Sequence, residues 1–463
     1  MISTHPGQRQ RFGPADRLVA MVLVLAFALA GWKTFTPQPA ADFAFASQQV
    51  INSKDRQKTP ATLSPANQLS PDGRFHFDAQ FVSAVPGQAV HAASVVELKN
   101  GDLRAVWFSG SREGARDVSI QTAILDSSTG QWLAESRLFE RYQIERGLWR
   151  YVKKIGNPVI ARAPDGSLLL WMVNVSLGGW AGSSITWARS TDEGSSWSMP
   201  RRLVTSPFLN VSTLVKGAPL IFEDGQIGLP VYHEFLTKFA EVIRLDASGR
   251  VVDKTRIPGS QTSLQPVVLV TGAKTAQVFM RSGNAQALMV SGTQDAGSTW
   301  SHSAAAAWPN PDSALAGLVT STGGQWLALN PTKNNRETLA LLQAGTAPFF
   351  ADASQWIVES SATPQSRLSL AGYESVLGKE LRHAGSNDEQ VKAYVASARR
   401  QLCGAETCSQ EFSYPYMLQS RDGYIHLVYT WHRTRIKHIR FDPRQPAMAA
   451  APRLVLTDVA SVN

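Results

Sequence analysis

The residues able to do chemistry fall into a few tight groups. One loop crowds Arg112, Glu113, Arg116 and Asp117 behind an apolar run ending in Trp107-Phe108. A second group, Tyr232-His233-Glu234, closes another apolar run, where a carboxylate is costly unless it is paired. A third brackets one hairpin, with Tyr414 and Tyr416 at its start and Trp431, His432, Arg433 and Arg435 at its end. Tyr414 and Tyr416 are next-but-one neighbours, so in a regular strand both point to the same side. Single polar residues, His91, Asn157, Lys216, Gln265 and Asn310, stand at the entries of apolar strands. Asn330, Arg281 and Arg336 stand at or beyond strand ends. Arginine forks bind carboxylates bidentately. An aromatic ring beside cations suits a sugar that carries an acidic group, and Asp117 and Glu234 are candidates for proton transfer. Plainer roles are open to the same residues: solvated turns, ion pairs, strand-end hydrogen bonds or packing within a sheet.

Six segments share one layout and would position these groups. They begin at His91, Gly156, Lys216, Leu264, Pro309 and Ser413, and each reads as strand, glycine-bearing turn, strand. The Asp422-Gly423 turn of the last is the strongest hairpin signal. Five segments place proline near the entry: Pro158, Pro219, Pro266, Pro311 and Pro415. Proline at a strand's first residue forfeits no ladder hydrogen bond. The entry residues His91, Asn157, Ala218, Gln265, Asn310 and Tyr414 lie 66, 61, 47, 45 and 104 residues apart, the size of four-stranded propeller blades. The last interval holds an insert, about 351–410. Its second half reads as a helix, with a Ser386/Glu389 capping box before an apolar-periodic run. The cysteines, Cys403 and Cys408, close a small loop as a structural disulfide in an oxidising compartment.

The formal charge is +9, yet no Lys/Arg run is interleaved with aromatics, so a nucleic-acid partner is not expected. Residues 1–33 carry arginines followed by the uncharged run 18–32, which reads as a signal anchor or a signal peptide. Either places the body outside the cytoplasm: anchored on the periplasmic face of the inner membrane, or secreted after cleavage. Residues 34–74 lack apolar periodicity and read as a linker. Residues 75–445 form the body, and 446–463 a tail. No metal site or cofactor is called for, because the aspartates of the turn motifs come one per loop.

Those turn motifs are Ser190-Thr191-Asp192-Glu193-Gly194-Ser195-Ser196-Trp197 and Thr293-Gln294-Asp295-Ala296-Gly297-Ser298-Thr299-Trp300, with a shortened copy at Asp126–Trp132. They resemble the Asp boxes, or BNR repeats, of the sialidase (neuraminidase) superfamily. The resemblance spans about 80–445 and implies an all-β, six-bladed propeller whose last blade is completed by the strand 75–82. It also implies a chemistry in which a tyrosine, activated by a glutamate, attacks the anomeric carbon. An aspartate serves as acid/base and three arginines clamp a carboxylate. Tyr414 occupies the nucleophile's place, Asp117 that of the acid/base, and Arg281 that of one clamp arginine, with Arg336 the candidate for another. The family's Arg-Ile-Pro is here His91-Ala92-Ala93, and the glutamate expected at the fourth entry is Gln265, so Glu234 is the candidate base.

The expectation is therefore an all-β propeller with a partly helical insert and an N-terminal membrane or signal segment. It is read as an exo-acting, sialidase-like glycosidase of an acidic or sialoside-like glycan. Tyr414, Asp117 and Glu234 would be catalytic. Arg112, Arg281, Arg336, His91, Gln265, Asn157, Lys216, Asn310, Tyr416, Trp431 and Arg433 would bind substrate. The alternatives are a non-catalytic glycan-binding or envelope-scaffold propeller, and an inverting enzyme or lyase using Glu234 and Asp117 as a carboxylate pair.

Overall fold

The computed structural model describes residues 13–35, 40–44, 68–71, 75–206, 210–284, 287–361 and 367–444. The chain divides into two units, Met1–Pro39 and Ala40–Asn463. The first contains the helix Pro14–Phe35. Among the described residues no helix is long and apolar enough to cross a membrane. The expected C-terminal tail lies outside the described residues.

The second unit is a six-bladed propeller of antiparallel sheets. Its innermost strands are Ala89–Glu97, Lys154–Arg162, the split pair Leu214–Val215 and Leu220–Ile221, Ser263–Val270, Ala316–Val319 and Phe412–Gln419. Strands enclosed on both faces need no polar side, and Ala89–Glu97 and Ser263–Val270 are buried along their whole length. The expected closure occurs. His76–Phe81 pairs with Arg435–Phe441, so the first strand of the body completes the last blade. The stretch expected as linker is not all linker. Phe43 is buried against Phe222 with ring centroids 5.3 Å apart, and its amide donates to the Ala273 carbonyl.

One distortion recurs at the blade entries. The ladder skips residues between His91 and Ser94, Gly156 and Val159, Leu264 and Val267, and Ser413 and Tyr416. In each bulge a non-glycine residue takes a left-handed backbone: Ala92 (φ 55°), Asn157 (42°), Gln265 (49°) and Tyr414 (54°). Three of these precede proline, which itself disfavours helical backbone in the residue before it. The prolines therefore sit within bulges, where the ladder needs no N–H, and not at the strands' first residues. Blade five departs from the expected alignment. Its left-handed residue is Asp312 (φ 54°), two positions after the entry Asn310.

Both full Asp boxes fold alike at the outer hairpins. Asp192 accepts from the Ser196 amide (2.9 Å) and hydroxyl (2.6 Å), and Asp295 from the Thr299 amide (2.8 Å) and hydroxyl (2.6 Å). These hydrogen bonds, led by the Ser196 hydroxyl, hold the exposed Asp192 carboxyl down to about 2.

The insert is shorter and more helical than expected. Ser354–Ser360 is the outer strand of blade five. The helices Leu370–His383 and Asp388–Leu402 follow, the second capped by Asn387 and Gln390, one residue beyond the expected box. The Cys403–Cys408 disulfide is formed. The helices brace the last blade's second turn: Tyr373 Oη lies 3.0 Å from His432 Nδ1, and Gln401 donates to the Arg433 carbonyl at 3.1 Å.

Candidate active site

The bulges turn their left-handed side chains toward the axis, and a continuous hydrogen-bonded set forms there. Arg281, at the end of the strand Ala276–Ser282, donates from Nη1 to Gln265 Oε1 at 3.0 Å and to the Tyr414 hydroxyl at 3.3 Å. Arginine has only donors, so the amide oxygen of Gln265 must face it. Gln265 Nε2 then donates to Tyr414 Oη (3.1 Å) and to Tyr232 Oη (3.4 Å), and Asn157 Nδ2 donates to the latter at 3.2 Å. Burial pushes the Tyr232 phenol well above its ordinary range, and Tyr414 and Glu234 add to the shift, so Tyr232 stays a neutral member of the set.

Three guanidinium groups lie around this centre, each tied to a carboxylate. Arg281 Nε binds Asp312 at 2.6 Å. Arg433 Nε lies 3.0 Å from both oxygens of Glu411, and its Nη1 is 3.1 Å from Glu113. Arg336 reaches Glu411 at 3.3 Å and the Asp312 carbonyl at 2.8 Å. Burial pushes the Glu411 carboxyl up, but Arg433 and Arg336 outweigh it and hold the group down to about 2. Glu411 is thus a fixed anion that orients two arginines and leaves their remaining N–H groups for a ligand.

His91 lies against the Tyr414 ring, centroids 4.1 Å apart, and its Nδ1 is buried without a partner. Burial first, then the positive charge of Arg433, keeps its imidazole neutral by lowering its pKa well below the usual value. Lys216 Nζ donates to the Pro415 carbonyl at 2.8 Å and lies over the rings of Tyr414 (5.9 Å) and Tyr416 (5.4 Å). Its neighbour Gly217 must be glycine, because a Cβ there would collide with the Pro266 carbonyl of the adjacent bulge. Burial drives the Lys216 amine down to about 7.

Several expected site residues are not members of this hydrogen-bonded set. Tyr416 does not share Tyr414's direction, because the bulge between them breaks the alternation; it is 2% exposed in the core. Trp431 is fully buried, packed edge-on against Phe81. Asn310 is fully buried, accepting from the Ser282 and Ser313 amides and donating to the Ser313 carbonyl, so it holds its own turn and does not face a ligand. Asn330 is likewise spent on Thr338, Phe412 and Ser313. Asp117 is exposed and holds the Ser111 amide and hydroxyl, both at 2.9 Å. Arg112 is exposed on the same loop, and Glu113 is the member that reaches Arg433. Glu234 is half-buried near Arg281 and Lys238, and burial lifts its carboxyl. The contacts of the Tyr414 hydroxyl are Gln265 and Arg281, not Glu234.

Two participants escaped the sequence reading, Asp312 and Glu411, and two named there take other roles than expected. Asp312 was masked by Asn310-Pro311, which matched the entry pattern two residues early. Glu411 stood at the edge of the insert. Glu113, named with its loop, holds Arg433, and Tyr232, named with Glu234, accepts from Gln265 and Asn157.

No curated protein matches the chain by sequence. Solved structures share the architecture at low identity. The Hadza microbial sialidase Hz136 superposes with a TM-score of 0.55 and 13% identity, over 77% of this chain and 66% of that one, a little under two thirds of its length. The NanB sialidase from Streptococcus pneumoniae gives 0.55 at 9%, over 85% and 73%. A protein of unknown function from Dyadobacter fermentans gives 0.56 at 12%, over 78% and 97%. At such identities the likeness is one of fold. The family model for the BNR repeat-like domain matches residues 101–427, well over half the chain. The chain therefore belongs to the BNR repeat-like domain family.

Proposed function

We propose that the protein is an exo-acting glycoside hydrolase of an acidic glycan, working outside the cytoplasm. The observation that carries this reading is the axial meeting of the Tyr414 hydroxyl with Arg281, flanked by the Glu411-bound pair Arg336 and Arg433. The guanidinium groups suit the sugar's carboxylate. A tyrosine hydroxyl, unlike a carboxylate, meets an anionic sugar without charge repulsion, a departure from the two-carboxylate scheme. In the first step the Tyr414 oxygen bonds to the anomeric carbon as the glycosidic C–O bond breaks. Asp117 gives its proton to the departing oxygen, and the phenolic proton passes through water to Glu234. In the second step Asp117 takes a proton from water, which displaces the tyrosine, and the phenol recovers its proton from Glu234. Release of reducing sugar from a panel of acidic glycans, sialosides first, tests the reading. Tyr414→Phe and Asp117→Asn are each expected to abolish release while leaving the thermal melt unchanged; full activity in both variants contradicts it.

One observation favours a second reading, a non-catalytic glycan binder. Gln265 stands against Tyr414 where a base would serve, and an amide whose oxygen is committed to Arg281 takes no proton. Saturable glycan binding without released sugar would support this alternative. The export reading of the leader is tested by N-terminal sequencing of the mature chain and by fractionation of cells.

A further inference from the structure

The three most exposed large apolar side chains among the described residues of the body lie on connections of blades two and three; Val85, Leu133, Tyr142, Met199 and Val204 are also exposed. Trp149 is 95% exposed, Leu177 79% and Leu236 86%, with Phe235 (58%) and Tyr151 (49%) on the same connections. All lie on connections opening at the end where the bulges enter the axis. Trp149 and Tyr151 precede the inner strand of blade two, Leu177 follows Leu168–Val175, and Phe235 and Leu236 follow Ile227–His233.

Hydrogen bonds join these connections into one rim. Ser176 Oγ donates to the Tyr151 carbonyl at 2.7 Å, the Thr213 amide to the Ser183 carbonyl at 3.4 Å, and the Glu234 amide to Ser212 Oγ at 2.7 Å. Trp180 carries the rim toward the axis. It stands over Gly156 beside Phe108, whose ring meets His91 at 5.7 Å. Trp149 also adopts a left-handed backbone (φ 52°) at the end of the helix Arg141–Leu148, so its exposure comes with strain.

Basic side chains accompany the rim: Arg146 and Lys153 are exposed and Arg150 partly so, and Lys154 lies over the Trp180 ring. Protruding Trp, Leu and Phe, with basic side chains beside Trp149 and Trp180, Glu145 paired with Arg141 and Glu234 half-buried, are the makings of an interface that seats in lipid headgroups. We infer that the rim around blades two and three docks on an anionic lipid bilayer, turning the axial pocket toward glycans held at that surface. The inference goes beyond the hydrolase reading and can fail or stand independently of it.

The test uses the full chain with a nitrobenzoxadiazole label at Leu177→Cys or Leu236→Cys. The control label is at Ala247→Cys, an exposed turn at the opposite end of blade three. With phosphatidylglycerol vesicles the labels at 177 and 236 are expected to shift to the blue and brighten several-fold. The label at 247 should stay unchanged, and phosphatidylcholine vesicles should give a weaker response. If the chain binds vesicles while all three labels remain in water, the rim does not dock and the proposal is overturned. A shift produced only by a soluble acidic oligosaccharide overturns it too, and assigns the rim to sugar rings. Sugar release from soluble substrates is measured separately, so loss of docking leaves the catalytic reading untouched.

Discussion

The chemistry turns on what surrounds one phenol. Tyr414 Oη accepts from Gln265 and from Arg281, so the fixed groups around it stabilise negative charge on the oxygen but do not remove its proton. Gln265→Glu would place a proton acceptor there, with Arg281 already present to compensate its burial. A positioned base contributes on the order of 10²-fold or more. The variant is therefore expected to raise turnover on an acidic glycan by about that factor; an unchanged or lower rate, with the melt preserved, would mean that proton removal does not limit the wild-type reaction. Tyr414, Gln265 and Asn157 were legible in the sequence because each stands before a proline at a repeated entry. Asp312 and Glu411 were not. Their partners, Arg281 and Arg433, lie 31 and 22 residues away in sequence, the first on the neighbouring blade and the second at the far turn of the same blade, and such pairings leave no period to read.

At the scale of elements, the inner strands give up regularity to aim side chains. Left-handed backbone costs about 1–2 kcal/mol per non-glycine residue, and such strain persists where the surroundings over-determine it. Ala92 bears that strain without a side chain that could serve a ligand. Ala92→Gly is accordingly expected to stabilise the protein by about 1 kcal/mol, read as a higher denaturant midpoint at unchanged slope. A loss of stability would show that the Ala92 methyl packs more strongly than its backbone is strained. The strand-turn-strand repeats were readable because glycine turns and apolar runs are local. The bulges were not, since the same prolines fit the first residue of a regular strand equally well. The first helix of the insert was missed for another reason: its apolar side chains, Tyr373, Leu377 and Leu381, face the last blade, and nothing nearby in sequence announces that surface.

Across the whole molecule, Lys216 ties blade three to the last blade through the Pro415 carbonyl, and it does so from complete burial. The folded protein releases its proton near 7, whereas the unfolded chain holds it to about 10.5. Between these values the unfolded state binds more protons, so this group makes stability rise with pH; below about 7 both states are protonated and the burial cost is fully present. Relative to Lys216→Met, the wild-type melting temperature should climb across that window. Parallel pH profiles would show that the amine is not desolvated. The six-bladed closure was legible from the repeat, the Asp boxes and the unpaired strand at 75–82, because propeller blades are stacked copies of one local pattern.

The central claim, that Tyr414 is the nucleophile toward an acidic sugar, is tested most directly by trapping. An acidic glycosyl fluoride carrying a second fluorine beside the anomeric carbon should form the enzyme–sugar bond and slow its hydrolysis. Mass mapping of the digested protein is predicted to place the added sugar on the peptide holding Tyr414, with no adduct in Tyr414→Phe. An adduct on Asp117 or Glu234, or steady sugar release by Tyr414→Phe, would contradict the account.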